Sequence, residues 1–169
     1  MLAIPRCVFG NLMTKEREEG SVGLHRITWR ATSSALSNTD AVADALAWLI
    51  GDAEDVELDQ STSYHGPVVT LIEAKTNKKR KALCSLARIG GPALNTVLET
   101  LPQRMDNDHI VHFRLVLDNL INGEILLAEG SGTGHVKAQA KFEVYPGKSA
   151  QDQIIETIQE AIAIAQETE

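Results

Sequence analysis

From His135 to Tyr145 the chain alternates without a break. Val136, Ala138, Ala140, Phe142 and Val144 fall on one side, and Lys137, Gln139, Lys141 and Glu143 on the other. A period of two sends successive side chains to opposite faces of an extended strand, so one face of this segment is buried and one is wet. Val22 to Thr32 repeats the pattern, with Leu24, Arg26, Thr28 and Arg30 opposing His25, Ile27, Trp29 and Ala31. Ile110 to Asp118 does so again, with Val111, Phe113, Leu115 and Leu117 against His112, Arg114 and Val116. Strands with one polar face build antiparallel sheets covered on the other face only. The expected fold is therefore α+β: a two-layer sandwich, a mainly antiparallel sheet with helices on one face.

The helices for that cover are legible too. Ser37-Asn-Thr-Asp40 offers capping oxygens to a helix carrying Val42, Ala45, Leu46, Leu49 and Ile50, with Gly51 as its stop. Thr76 or Asn77 caps a helix from Lys78 to Ile89, which Gly90-Gly91-Pro92 ends before a second helix from about Ala93 to Leu101. Ile154, Ile155, Ile158, Ala161, Ile162 and Ala165 mark a last helix from about Ala150 to Gln166. Val56 to Asp59, Pro67 to Ala74 and Glu124 to Ala128 read as further strands, the last joined to His135–Tyr145 by the hairpin loop Glu129 to Gly134. Residues 1–20 are polar and aperiodic towards their end, and read as a flexible leader in which Met13 is an alternative start. With 169 residues in all, 21–169 reads as a single α+β domain.

Composition excludes several function classes. Aromatic residues make up 4% of the chain, too few for a platform of stacked bases. No apolar run nears the roughly 20 residues of a membrane span, and the start of the chain lacks the pattern of a secretory signal. Two cysteines, Cys7 and Cys84, make neither a disulfide framework nor a metal knuckle, which points to a reducing cytoplasm.

Catalytic and metal motifs reduce to structure. A phosphate-cradling loop needs a helix after it, and a strand follows Gly130-Ser-Gly-Thr-Gly134. His109 and His112 stand three apart, which on a strand sends them to opposite faces, so no metal site is expected. Cys84 lies beside basic residues, yet reads as a buried structural residue. Asp118, Glu124 and Glu129 sit near strand ends where they could face one cleft, but neither a nucleophile nor an oriented base accompanies them. No enzyme and no cofactor is expected.

Charge placement carries more. The net charge is −7, but it is segregated: Asp40 to Asp59 holds seven acids and no Lys or Arg, while Lys75 to Arg88 holds six basic residues and no acid. Exposed charges more than about 10 Å apart are screened at physiological salt, so local sign decides contacts. Two basic sets emerge. One is Lys78, Lys79, Arg80 and Lys81 at a helix start. The other is the polar sheet face, where Arg26 and Arg30 share a surface with Arg114, Lys137 and Lys141 if their strands are neighbours. A polar sheet face is also what any uncovered sheet requires.

Short motifs in a fixed order complete the reading: Tyr64-His-Gly-Pro-Val68, Phe113-Arg-Leu-Val-Leu-Asp118, Gly123-Glu-Ile-Leu-Leu127, and His135 through Tyr145-Pro-Gly147. Together, over about Gly23 to Glu169, they resemble a family of archaeal proteins described as predicted exosome-associated RNA-binding proteins. That family is similar in fold to the large-subunit ribosomal protein that binds 5S rRNA. The chain departs from the pattern at Asn119-Leu120, where the family tends to have Lys-Gln, and lacks an Asn between Gly66 and Pro67. The resemblance implies non-enzymatic binding of structured RNA, in RNA processing or degradation within a larger complex. Phosphate contacts would then fall to Arg26, Arg30, Lys78, Lys79, Arg80, Lys81, Arg114, Lys137 and Lys141. The alternative is a protein-interaction or scaffold module that binds no nucleic acid. Its acidic stretch would dock a basic partner or the Lys78–Lys81 run of a second copy, giving a homodimer. A weaker third reading is a small-molecule binder or hydrolase built on Asp118, Glu124 and Glu129.

Overall fold

β1 (Leu24–Ser34) lies third in a five-stranded antiparallel sheet with β2 (Val56–Thr62), β3 (Val68–Thr76), β4 (Ile110–Val116) and β5 (His135–Phe142), in the order β2-β3-β1-β5-β4. The computed structural model describes residues 23–34, 36–62, 66–130 and 134–168. The expected leader, the Tyr64-His65 portion of the turn before Gly66 and the tip of the Gly130–Gly134 loop lie outside the described residues.

Helices close the apolar side of the sheet. α1 (Thr39–Ile50) lies on β1 and β3, and α2 (Lys79–Ala87) packs on β1 and against α6 (Ala150–Thr168). α3 (Gly91–Glu99) packs on α6, while the short α4 (Leu101–Arg104) sits beside β4 and α5 (Leu117–Ile121) follows it. The alternating residues do what their period requires: Ile27, Trp29, Ala31, Val111, Phe113, Leu115, Val136, Ala138 and Ala140 are all buried in one core with the helices' apolar faces. Trp29 meets Phe113 edge to face, with ring centroids 5.6 Å apart. Its indole N–H donates to Ser85 Oγ at 2.8 Å, and that hydroxyl donates to the Leu49 carbonyl at 2.6 Å, tying sheet, α2 and α1 through one buried relay.

α1 starts and stops as its sequence dictates. The Asn38 side chain accepts from the Ala41 amide at 3.1 Å, and Gly51 ends the helix at φ 87°. A side chain at Gly51 would be strained at that φ, and its Cβ would also lie 2.3 Å from Arg88 Nη1. The Arg88 guanidinium fills that space, donating to the Trp48 carbonyl at 2.8 Å.

Four sequence expectations are corrected. Leu24 does not share a face with Arg26: a bulge between them pairs Leu24 with Phe142 and turns it into the core. The long strand stops at Val116, and Leu117-Asp118 open α5 instead. Glu124–Ala128 forms no strand of its own; it makes one isolated bridge, Leu115 to Leu127, along the outer edge of β4. Six residues of hairpin loop sit between it and β5 in sequence, but it lies on the opposite side of β4 from β5. The last helix runs two residues further than its expected end, to Thr168.

Candidate nucleic-acid interface

The sheet's uncovered face takes its charge from register. β1 and β5 pair so that Arg26 faces Lys141, Thr28 faces Gln139 and Arg30 faces Lys137. β4 and β5 then place His112 opposite Gln139 and Arg114 opposite Lys137. Arg26, Arg30, Arg114, Lys137 and Lys141 thus occupy three adjacent strands on one face, as the sequence expectation requires. Lys137 has an arginine directly across from it on both sides, and Arg26 a lysine. Like charges placed directly opposite on neighbouring strands repel, a cost to the fold that a bound anion removes.

Partners differ among these cations. Among the described residues Arg26, Lys137 and Lys141 form no ion pair. Arg30 Nε lies 2.5 Å from Glu73 Oε2 on β3, and Arg114 Nη1 donates to the Gly130 carbonyl at 3.0 Å. Lys75 stands on the same face beside Thr28, 3.8 Å from Glu73. The polarity of the face then reverses: Glu57 and Asp59 on β2 lie opposite Glu73 and Leu71. Strands are about 4.8 Å apart, so β2 is about 14 Å from β5, beyond a physiological Debye length. The acids of β2 are therefore too far away to neutralise the cations of β5 and β4.

The helix-start set fares differently. Lys79 Nζ is 2.7 Å from Glu143 Oε2, and Lys81 Nζ is 3.0 Å from Asp52 Oδ2 and also in ion-pair contact with Asp55. The hydrogen bond from Lys79 holds the Glu143 carboxyl below its usual range, with help from Tyr145 and His25, and the same bond raises the Lys79 ammonium. Burial pulls the Lys81 ammonium down, but its bonds to Asp55 and Asp52 outweigh that and leave it raised. Asp52 is lowered first by the Glu54 amide and then by Lys81. The acidic stretch therefore meets the basic run within one chain at Lys81, where sequence reasoning had considered a second copy. Lys78 and Arg80 are exposed. Lys79 is bonded to the end of the sheet through Glu143, two residues beyond Lys141.

Beside β4 the open face deepens into a cleft of about 540 Å³, floored by His112, Arg114, Lys137 and Gln139 and walled by Arg104 and Asp106. His112 Nε2 is 2.8 Å from Asp106 Oδ2, while Asp106 Oδ1 accepts from the Asp108 and Ile110 amides at 2.9 and 3.0 Å. The bond to His112, followed by that from Ile110, lowers the Asp106 carboxyl. Sequence reasoning missed Arg104 and this pair. The Asp106-Asn-Asp108 run has the composition of a turn, but the reach of the Asp106 Oδ2 oxygen back to His112 leaves no local mark. Of the three carboxylates expected to share a cleft, Glu129 lines this one, whereas Asp118 and Glu124 do not. Among the described residues no cluster of His, Cys, Asp and Glu is arranged to hold a metal, and no helix is long and apolar enough to cross a membrane. Cys84 is buried and disulfide-bonded, which corrects the expectation that the cysteines point to a reducing compartment and removes Cys84 as a reactive nucleophile.

An α+β sandwich with one helix-covered face and one open, cation-bearing face has the form of a surface-binding protein. A family model described as RNA binding matches residues 26–142, spanning β1 through β5, and the chain belongs to that family. A general RNA-binding role follows, with RNA as the partner.

Solved structures share the fold at low identity. Mth689, a DUF54 protein from Methanothermobacter thermautotrophicus, superimposes with a TM-score of 0.64 at 18% identity, over 83% of this chain and 98% of its own. Protein AF2318 from Archaeglobus fulgidus, also DUF54, gives 0.64 at 18% identity over 82% and 99%. A UPF0201 protein from Methanococcus jannaschii gives 0.52 at 15% identity over 79% and 98%. No curated protein matches the sequence.

Proposed function

We propose that the protein binds structured RNA without catalysis, by laying the β1-β5-β4 half of its open sheet face against phosphates. The observation that carries this is the pair of like-charged rows, Arg26 opposite Lys141 and Arg30-Lys137-Arg114 across three strands. Repulsion of this kind costs about 0.2–1 kcal/mol per pair, and a phosphate between the cations turns it into attraction. Few aromatics and many cations at strand spacing suit recognition of shape and backbone rather than of stacked bases. Lys78, Lys79 and Arg80 extend the same footprint past the end of the sheet, whereas Lys81, held by two carboxylates, belongs to the fold. The likeness to exosome-associated proteins supports a place in RNA processing or degradation.

Gel-shift titration against a structured RNA over a salt series tests this reading. Affinity falls steeply with salt, about 0.7–0.9 in log–log slope per phosphate contacted, and Arg26→Glu with Lys141→Glu weakens binding for every sequence alike. Binding that ignores salt, or that survives the double variant, overturns it. A second reading, a protein-interaction module, is favoured by the edge strand β2. It is exposed along nearly its whole length and presents Leu58 beside Glu57 and Asp59. Absence of RNA binding at low salt decides for that reading.

A further inference from the structure

We infer that the cleft beside β4 seats the terminal phosphomonoester of an RNA strand, an inference that rests on the RNA-binding reading of the open face. Its walls are fixed by backbone bonds to β4. Along the outer edge of β4, Asp106 N donates to the Ile110 carbonyl at 3.0 Å near one end of the strand, and Ala128 N donates to the Arg114 carbonyl at 2.8 Å near the other. Among the described residues the helices pack on the other face, so a strand crossing the rest of the β1-β5-β4 half towards β4 meets these walls. A chain end fits such a dead end better than a continuing backbone does.

The charges agree. Arg104, Arg114 and Lys137 all line the cleft, and its volume of about 540 Å³ is that of an ordinary ligand pocket. An internal phosphodiester carries one negative charge. A terminal phosphomonoester carries nearly two at neutral pH and presents three acceptor oxygens. Three cations, with the Gln139 amide in the same lining, suit the dianion. The two carboxylates present oppose it least where they stand. Asp106 is already engaged by His112 and two backbone amides, and Glu129 is exposed at the rim. Arg114 is held in place by the Gly130 carbonyl, and Arg104 Nε is fixed on Thr100 Oγ1 at 2.6 Å.

Arg104 separates this inference from the wider one, because it lines the cleft but stands apart from the open-face set. One structured oligoribonucleotide, internally labelled, is made with hydroxyl ends, with a 5′-phosphate and with a 3′-phosphate, and each Kd is read by fluorescence anisotropy. One phosphorylated form binds about tenfold more tightly than the hydroxyl form, the gain of one charge-assisted hydrogen bond, and which form gains identifies the end recognised. Arg104→Gln removes that ratio and leaves the hydroxyl Kd unchanged. Lys137→Gln, at an exposed position, also reduces the ratio and guards against a folding defect in the first variant. Equal affinity for all three forms overturns the inference and leaves the general reading standing. So does a ratio that survives both variants. Failure of every form to bind overturns both readings.

Discussion

Ser85 shows how much one hydroxyl holds. It sits fully buried between the Trp29 indole and the Leu49 carbonyl, donor to one and acceptor from the other. Ser85→Ala strands the indole N–H in the core and weakens the satisfaction of the Leu49 oxygen, which then keeps only the 3.4 Å contact from Arg88. The expected loss is about 1–3 kcal/mol in urea denaturation, since a buried donor left alone costs its full desolvation. A loss below about 0.5 kcal/mol would mean that the relay contributes little beyond packing. Nothing in the local sequence announces this role: Ser85 reads as one more small residue in a helix. Its partners lie 56 and 36 positions away.

Register decides the behaviour of strands and helices. Lys137 lies between Arg30 and Arg114, so Lys137→Gln removes two repulsive neighbours at once. The variant is expected to be more stable by about 0.4–2 kcal/mol, the sum over two pairs, and to bind RNA more weakly, a trade between stability and function. Thermal melting and RNA titration of one preparation check both halves, and a destabilised variant would refute the account of repulsion.

At the other end of the sheet, Glu143 clasps Lys79 of α2 and His25 of β1. Its carboxyl is held below the ordinary 4.5, so its stabilisation is complete above that value and is lost as pH falls through the lower folded one. Lys79 is raised above 10.5, so the same pair also weakens as pH climbs past that value. Wild type is expected to exceed Glu143→Gln in stability at about pH 6, with the gap closing as pH falls below 4.5 through the lowered folded value. A gap that stays constant with pH would show the clasp to be packing alone.

For the whole molecule, an acidic total coexists with a basic working face because the two signs sit on different strands. Glu57, Asp59 and Glu73 gather on β2 and β3, and the unpaired cations on β1, β5 and β4. Part of the remaining basic charge is cancelled inside the fold, where Lys81 meets Asp52 and Asp55. Long-range attraction of RNA is accordingly poor for a molecule of charge −7, and contacts form at close range. If the proposed interface holds, the salt slope of binding reports the few phosphates in contact with the β1-β5-β4 half, not the net charge.

The period of two in β1, β4 and β5, the cap at Asn38 and the stop at Gly51 are local properties. Steric and hydrogen-bonding rules act over a few residues, so the layer architecture and the polar face of each strand were legible along the chain. The gathering of Arg26, Arg30, Arg114, Lys137 and Lys141 onto one surface needed the strand order, and pairing of strands more than a hundred residues apart leaves no local mark. The same holds for the bulge that buries Leu24, the stop of β4 at Val116 and the cleft between Arg104 and Lys137. Charges acquire partners only when the chain closes, which is why Lys81 reads as an open cation in sequence and is an internal ion pair in the folded protein.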